Sequence, residues 1–421
     1  MTGLAAGIKT GLPVFEAQTL PGGICSSYYL KPGNGQRLSK EEAGTAAYRF
    51  EYGGGHWIFG GDQEILDFIG QYITIKKYNR SSAVYLPNQD RYVPYPLQYH
   101  LSYLDGGEAK AALEELLQAN RPEIRTMEDW VRAQFGPTLN DLFFAPFHQL
   151  YTAGLWSDIR PQDNYKTPLD LEMVRQGAAD KTPAVGYNAT FVYPEEGLDV
   201  LALRMAAECD LHYGKRVTKI DVNERVLSFE DGDSRPYDQL YSSLPLNEMM
   251  SMTGLQAASK PDPHSAVLVL NIGAVVGPRC PSEHWIYVPE SKSGFHRVGF
   301  YSNVDDHFLP AGTVDGKKRA SLYIERAFLP EDKPSPEQIA QYERDVVAEL
   351  QGWGMIESVE AIDATWVDVA YTWSWPASNW IDESINTLRG HGIEMLGRYG
   401  RWHFQGIAAS IREGLAIGAS E

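Results

Sequence analysis

Three consecutive glycines, Gly53-Gly54-Gly55, run directly into His56-Trp57-Ile58-Phe59 and constrain this chain more than any other stretch. Backbone without Cβ atoms lies against a flat ligand more closely than any other residue type permits. The stretches before it extend the reading. Gly3-Leu4-Ala5-Ala6-Gly7 opens an amphipathic helix, Leu12-Pro13-Val14-Phe15-Glu16 is a short apolar strand ending in an acid, and Gly22-Gly23 follows. A dinucleotide fold needs Gly-x-Gly-x-x-Gly between a strand and a helix, with an acid about 20 residues on for the ribose hydroxyls. Gly3 fits the third glycine and Glu16 the acid, while the first two glycines and the first strand would lie before Met1. Either the native start is upstream or the fold does without that strand. The first is expected, because omitting a central parallel strand leaves two buried edges unpaired. Together the pieces read as a flavin cradle.

The rest of the chain alternates between element types. A polar segment from Lys31 to Ala47 reads as a surface insertion, and Arg91-Tyr92-Val93-Pro94-Tyr95-Pro96 as a proline-broken strand suited to an edge or cleft wall. Helical periodicity dominates from Gly106 to about Arg175, notably Ala111 to Ala119 and Met127 to Phe135. A strand to Pro194, a helix from Leu198 to Glu208 and strands at Arg216–Ile220 and Val226–Phe229 suggest a β-α-β return to the cofactor domain. Apolar, β-branched runs between Ala266 and Tyr371, with one long helix from Pro336 to Gly352, imply an antiparallel sheet. Gly397-Arg398-Tyr399-Gly400 then leads into a helix from about Ile407, glycines before a helix again turning amides toward a ligand. The expected class is α/β (α+β multidomain). A Rossmann-like FAD-binding domain (1–80, 190–262 and 385–421) carries an inserted helical domain (105–180) and an antiparallel β-sheet substrate domain (81–104, 181–189 and 263–384).

Charge narrows the function. The 55 acidic against 37 basic residues give a formal net charge of −18, which disfavours nucleic acid or an anionic membrane as principal partner. An anionic substrate must therefore be held by a few local arginines. Three cysteines, Cys25, Cys209 and Cys280, form no metal-ligand or disulfide pattern, which fits a cytoplasmic protein without a metal. No stretch has the apolar length of a membrane span.

Several separated motifs then agree. Gly22-Gly23, Gly54-Gly55-His56-Trp57-Ile58-Phe59, Val93-Pro94-Tyr95-Pro96-Leu97-Gln98, Asn188-Ala189-Thr190-Phe191, Trp285-Ile286-Tyr287, Phe295-His296-Arg297 with Ser302-Asn303, and Gly397-Arg398-Tyr399-Gly400 occur in order over almost the whole chain. The ordered set resembles the UDP-galactopyranose mutases, particularly their eukaryotic branch, within the amine-oxidase and protoporphyrinogen-oxidase-like flavoproteins. The resemblance implies an isomerase that binds UDP-galactose and uses reduced FAD without net redox change, its N5 atom forming a covalent adduct with the sugar; NAD(P)H is the candidate reductant. It implies that Arg297 and Arg398 clamp the diphosphate, that His56 and Gly55 sit against the flavin, and that these arginines and His56 form the catalytic set. Gly3, Glu16, Gly22, Gly23, Gly54, Gly397 and Gly406 would line the cofactor, with Val217 offering its backbone to the adenine. Tyr95, Tyr287 and Tyr371 match phosphate contacts, Gln98 a uridine contact, Asn188 a residue near the galactose, and Phe59 a neighbour of the nucleotide. A homo-oligomer is left open.

Three departures accompany the match. Leu97 replaces an aromatic that stacks on uracil, a loss worth about 1–3 kcal/mol by the scale of base stacking. Phe404 replaces a tyrosine, and Gly406 to Ser410 lacks the polar run that covers the flavin's pyrimidine edge. In the helical region only Lys166 stands out as an anion contact. Two further readings remain open: an amine-oxidase-type FAD oxidase, whose aromatic cage Trp373, Trp375 and Trp380 would supply, and a relative that binds nucleotide sugar without FAD.

Overall fold

The strand His264–Val276 is buried along nearly its whole length, because its run of apolar residues serves two cores at once. Val267 and Val269 belong to one cluster, while Leu268, Leu270, Ile272 and Ala274 belong to another that includes Tyr342, Val346 and Leu350 of the helix Pro336–Gly352. This strand organises a seven-stranded sheet in the order Ile356–Thr372, His264–Val276, Arg319–Phe328, Arg297–Phe300, Trp285–Tyr287, Ser82–Leu86 and Arg91–Pro94. The computed structural model describes residues 1–118, 123–162, 169–180, 189–312 and 316–418. Every neighbouring pair in the sheet is antiparallel except one: Trp285–Tyr287 runs parallel to Ser82–Leu86. The strand Arg91–Pro94 is the sheet's edge, where the N–H missing at Pro94 is tolerated.

Helices Gly106–Leu117, Met127–Leu139, Ala145–Tyr151 and Leu171–Ala179 cover the Ser82–Pro94 corner of this sheet and share a core with it. Asp105 and Thr126 start the first two with reciprocal capping boxes. Gly136, at φ 75°, and Pro137 break the second helix, and a π-helical segment, Asn140–Phe144, carries the chain into Ala145–Tyr151.

The remaining layer holds two short parallel pairs, Val14–Phe15 with Leu211–His212 and Leu240–Ser242 with Ile393–Met395. Beside them lie helices Thr2–Thr10, Leu198–Ala206 and Ile407–Leu415. Close approach here depends on two glycines. A Cβ at Gly7 would lie 2.6 Å from Val14, and one at Gly414 would lie 2.5 Å from the Thr2 carbonyl oxygen and 2.7 Å from Ala5.

Two expected elements differ. Leu211–His212 makes the parallel return, whereas Val217–Asp221 and Val226–Phe229 form an antiparallel meander with Ser234–Pro236. The cause is local: the Asp221 carboxylate accepts from the N–H groups of Asn223 and Glu224 and folds the chain back at once. The polar segment after Leu30 closes a hairpin between Ser27–Leu30 and Tyr48–Glu51, and its short helix Lys40–Ala43 is capped by Ser39.

Candidate functional site

A cavity of about 980 Å³ reaches from the helical layer across the sheet face to the parallel pairs. Among the residues of the parallel layer, Thr2, Gly3, Glu16, Gly22, Gly23, Gly397 and Gly406 line it. Helices Thr2–Thr10 and Ile407–Leu415 both begin at this wall, and neither has a side-chain cap. Their first N–H groups and positive dipole ends suit an anion such as a pyrophosphate. Gly22 and Gly23 turn the chain at φ 98° and 58°, and a Cβ at Gly22 would lie 2.8 Å from the Cys25 carbonyl oxygen. Two uncapped helix starts, a carboxylate and a glycine turn around one elongated cavity fit a dinucleotide cofactor.

The glycine run has a more specific cause than a flat ligand. Gly53, Gly55 and His56 line the cavity, but the space where Cβ atoms would sit on Gly54 and Gly55 is filled by protein. At Gly54 a Cβ would come within 2.8 Å of Glu325 Oε1, and at Gly55 it would overlap the Tyr323 ring. His56 Nδ1 stands 3.3 Å from the Gly54 carbonyl oxygen. Burial, with the nearby Arg398 charge, pushes its pKa down to about 4, so the ring is neutral at pH 7 and takes part as a hydrogen-bonding group.

Strand register builds the next wall. In the rows Trp285–Gly299–Tyr323 and Tyr287–Arg297–Glu325, each residue faces the next directly across neighbouring strands. Gly299 must lack a side chain, since a Cβ there would overlap the Tyr323 ring. Arg297 holds Glu325 through Nε–H (2.9 Å to Oε2) and Nη2–H (2.6 Å to Oε1). Glu325 is 2% exposed. Against the burial that opposes ionisation, Arg297 and His296 hold its pKa down at about 2. Burial pushes the pKa of His296 below its ordinary value, and its Nε2 lies 3.5 Å from Glu325 Oε2. The Tyr371 hydroxyl donates to the same carboxylate oxygen at 3.5 Å.

Arg398 reaches the cavity from the glycine turn at Gly397. Its Nη2–H donates to the Ala370 carbonyl oxygen at 2.9 Å, and the guanidinium lies 4.7 Å from the centre of the Phe404 ring and 5.6 Å from that of Tyr371. It has no carboxylate partner among the described residues, and its buried Nε makes no hydrogen bond. Both guanidiniums line the cavity around Tyr371: Arg398 lies beside its ring, and Arg297 binds the carboxylate that its hydroxyl reaches, which puts the two on one wall.

The helical layer closes the cavity with rings. Phe143, Phe147 and Tyr151 recur every four residues. Phe147 meets Tyr287 edge-on at 5.4 Å, and Tyr151 meets His296 at 5.3 Å, Tyr371 at 4.7 Å and Trp373 at 5.5 Å. Tyr95 stands 4.7 Å from Tyr287, after which the Tyr95–Pro96 bond is cis. Phe59 and Tyr287 also line the space.

The lining thus gathers Gly3, Glu16, Gly22, Gly23, Gly55, His56, Phe59, Tyr95, Tyr287, Arg297, Tyr371, Gly397, Arg398 and Gly406. Five expected contacts fall elsewhere or outside. Gln98 and Leu97 are buried in a 3-10 turn beneath the helices rather than on the wall, because the sharp turn after Pro96 directs them inward. Val217 packs with the cluster around Phe229 and Trp380, since the meander carries its strand away from the cavity. Gly54 lies behind the wall against Glu325. Asn188 and Lys166 lie outside the described residues. Of the three tryptophans, Trp373 reaches the cavity, while Trp375 covers Lys260 and Trp380 packs on Trp402. Sequence reading missed Glu325, His296, Tyr323, Phe147 and Tyr151. The alternation Leu322-Tyr323-Ile324-Glu325 is the signal for the strand pair, and the four-residue spacing is the signal for the rings.

A family model described as flavin containing amine oxidoreductase matches residues 4–390. The chain belongs to that family. It is therefore a flavoenzyme of the amine-oxidase superfamily, with FAD as the cofactor that the cavity fits. A structure of reduced UDP-galactopyranose mutase is similar over 98% of this chain and 92% of that one, at 21% identity and a TM-score of 0.83. A CLA-producing fatty acid isomerase from P. acnes, and putrescine oxidase bound to putrescine, each match 99% of this chain and 96% of their own at 15% identity and a TM-score of 0.58. These likenesses show a shared fold. No helix among the described residues is long and apolar enough to cross a membrane.

Proposed function

We propose that this flavoenzyme is a nucleotide-sugar mutase, interconverting the pyranose and furanose forms of UDP-galactose or a closely related sugar nucleotide without net redox change. The observation that carries the reading is Arg398: a guanidinium on the cavity wall without a carboxylate partner among the described residues, beside His56 and Tyr371 and on the same wall as Arg297. In a chain of net charge −18, such a cation is an anion site, and planar guanidinium groups suit a diphosphate better than ammonium groups do.

In this reading the helix starts at Gly3 and Gly406, the glycine turn at Gly22 and the Glu16 carboxylate hold FAD, which supplies the nucleophilic and redox chemistry when bound. Arg398 and Arg297 fix the diphosphate while it departs and returns. The hydroxyls of Tyr95, Tyr287 and Tyr371 orient it. Neutral His56 offers hydrogen bonds without adding charge beside the cofactor. The rings of Phe147, Tyr151 and Trp373 keep water from the reacting atoms. The flavin acts reduced, with NAD(P)H as the candidate reductant.

One observation favours a second reading. Glu325 neutralises Arg297 amid aromatic rings, and a buried carboxylate among rings suits a cationic amine, the substrate class of an FAD oxidase. Anaerobic mixing of the oxidised holoenzyme separates the two. The mutase reading predicts that UDP-galactose perturbs the flavin absorbance without bleaching it and that a panel of amines leaves the band unchanged. Bleaching by an amine, with no response to UDP-galactose, overturns it.

A further inference from the structure

We propose that Glu325 is a positioning residue that exchanges with the substrate: an anionic ligand takes Arg297 from Glu325, and the His296–Glu325 pair takes up one proton from solvent as it binds. The inference rests on the anion-binding reading of Arg297 and concerns what the ligand must displace there.

The geometry sets the exchange. The Arg297 guanidinium lies on the cavity wall, yet in this structure its Nε–H and Nη2–H groups both point at Glu325. An arriving diphosphate competes for the same N–H groups. If it wins them, it leaves a carboxylate that is 2% exposed without its cation and adds negative charge beside it. An uncompensated buried charge of this kind is strongly unfavourable.

The groups around Glu325 decide how the imbalance is met. Tyr323 lies two residues before it on its own strand, and Tyr371 donates from the sheet's outer long strand. Tyr287 lies beyond Arg297 in the same row. His56 and Arg398 approach from the glycine run and the Gly397 turn, and Arg398 is occupied by the same ligand in this reading. The tyrosines offer only hydroxyl groups. His296 alone among these neighbours is an adjacent base, its Nε2 3.5 Å from Glu325 Oε2 and its ring covered by Tyr151 and Phe147. A proton shared between that imidazole and the carboxylate replaces the lost guanidinium.

The sign follows from linkage. Because the pair binds the proton more tightly in the complex than in the free enzyme, affinity for the anion falls as pH rises, by about tenfold per pH unit, up to the pair's pKa in the complex.

The test uses isothermal titration of the oxidised holoenzyme at pH 6.5 in two buffers of different ionisation enthalpy. The probes are UDP-galactose, whose diphosphate diester does not titrate there, and inorganic sulfate. The proposal predicts uptake of about one proton per anion bound, lost in Glu325→Gln, whose affinity for the anion at pH 8 exceeds that of wild type. His296→Asn also loses the uptake while keeping the Arg297–Glu325 pair. UDP-galactose binding to wild type without proton uptake overturns the exchange and leaves the mutase reading standing. Sulfate binding with uptake and no binding of UDP-galactose keeps the exchange and removes the mutase reading. Binding of neither anion overturns both.

Discussion

Two arginines on one wall do different work because of what each already touches. Arg398 donates only to a backbone carbonyl, so its charge is available, whereas Arg297 is committed to Glu325. Arg398→Ala should therefore weaken UDP-galactose binding by about 2 kcal/mol, the scale of a charge-assisted hydrogen bond, with little change in thermal midpoint. Arg297→Ala should cost roughly 3–5 kcal/mol of folding stability by stranding the buried Glu325 charge, which a urea titration measures. Equal effects of both on affinity, with neither affecting stability, would contradict the distinction. The arginines were legible in the sequence because each sits in a glycine- or aromatic-marked motif. Glu325 was not, since its partner is set by strand register, which no local spacing reveals.

At the scale of elements, the cofactor wall depends on how closely helix Ile407–Leu415 approaches helix Thr2–Thr10. Gly414 makes the approach, with the Thr2 carbonyl oxygen and Ala5 where its Cβ would be. Gly414→Ala should push the two uncapped helix starts apart, costing about 1–3 kcal/mol as an overpacked contact does, and should release FAD more readily on dilution. Flavin fluorescence follows the release; retention equal to wild type would show that the helix starts do not hold the cofactor. Helices and long strands were legible from periodicity. The meander at Val217 was not, because the Asp221 turn that bends it competes with a β-α-β reading that fits the same apolar spacing.

For the whole molecule, buried titratable groups set a pH optimum for stability. Burial pushes His56, His100, His148 and His284 down to about 4 from 6.5. Each binds a proton more readily unfolded than folded, so its stabilising contribution is present above pH 6.5 and is lost as pH falls toward 4. Glu51, fully buried at the end of the hairpin strand Tyr48–Glu51 and pushed up to about 8 from 4.5, acts in the opposite direction, favouring the folded state at low pH and losing that contribution as pH rises through 8. Among these five groups, four histidines outweigh one carboxyl below 6.5, and only the carboxyl acts above it. Urea midpoints should therefore peak at about pH 6.5, and Glu51→Gln should flatten the alkaline side; a midpoint still rising from pH 6.5 to 8 would contradict this. The class of fold was legible in the sequence from its ordered glycine motifs. The way one sheet joins Ser82–Pro94 to Trp285–Tyr287 through a parallel pair was not, because that pairing spans some 200 residues.

In the proposed reaction an anionic sugar nucleotide is held against the cofactor by guanidiniums from the arginine strand and the Gly397 turn. Its most direct test is chromatography of UDP-galactofuranose after incubation with the dithionite-reduced holoenzyme, beside the oxidised holoenzyme and reduced Arg398→Ala. Conversion to UDP-galactopyranose is expected from the reduced wild type alone. Absence of conversion by the reduced wild type, or equal conversion by the oxidised protein, would contradict it.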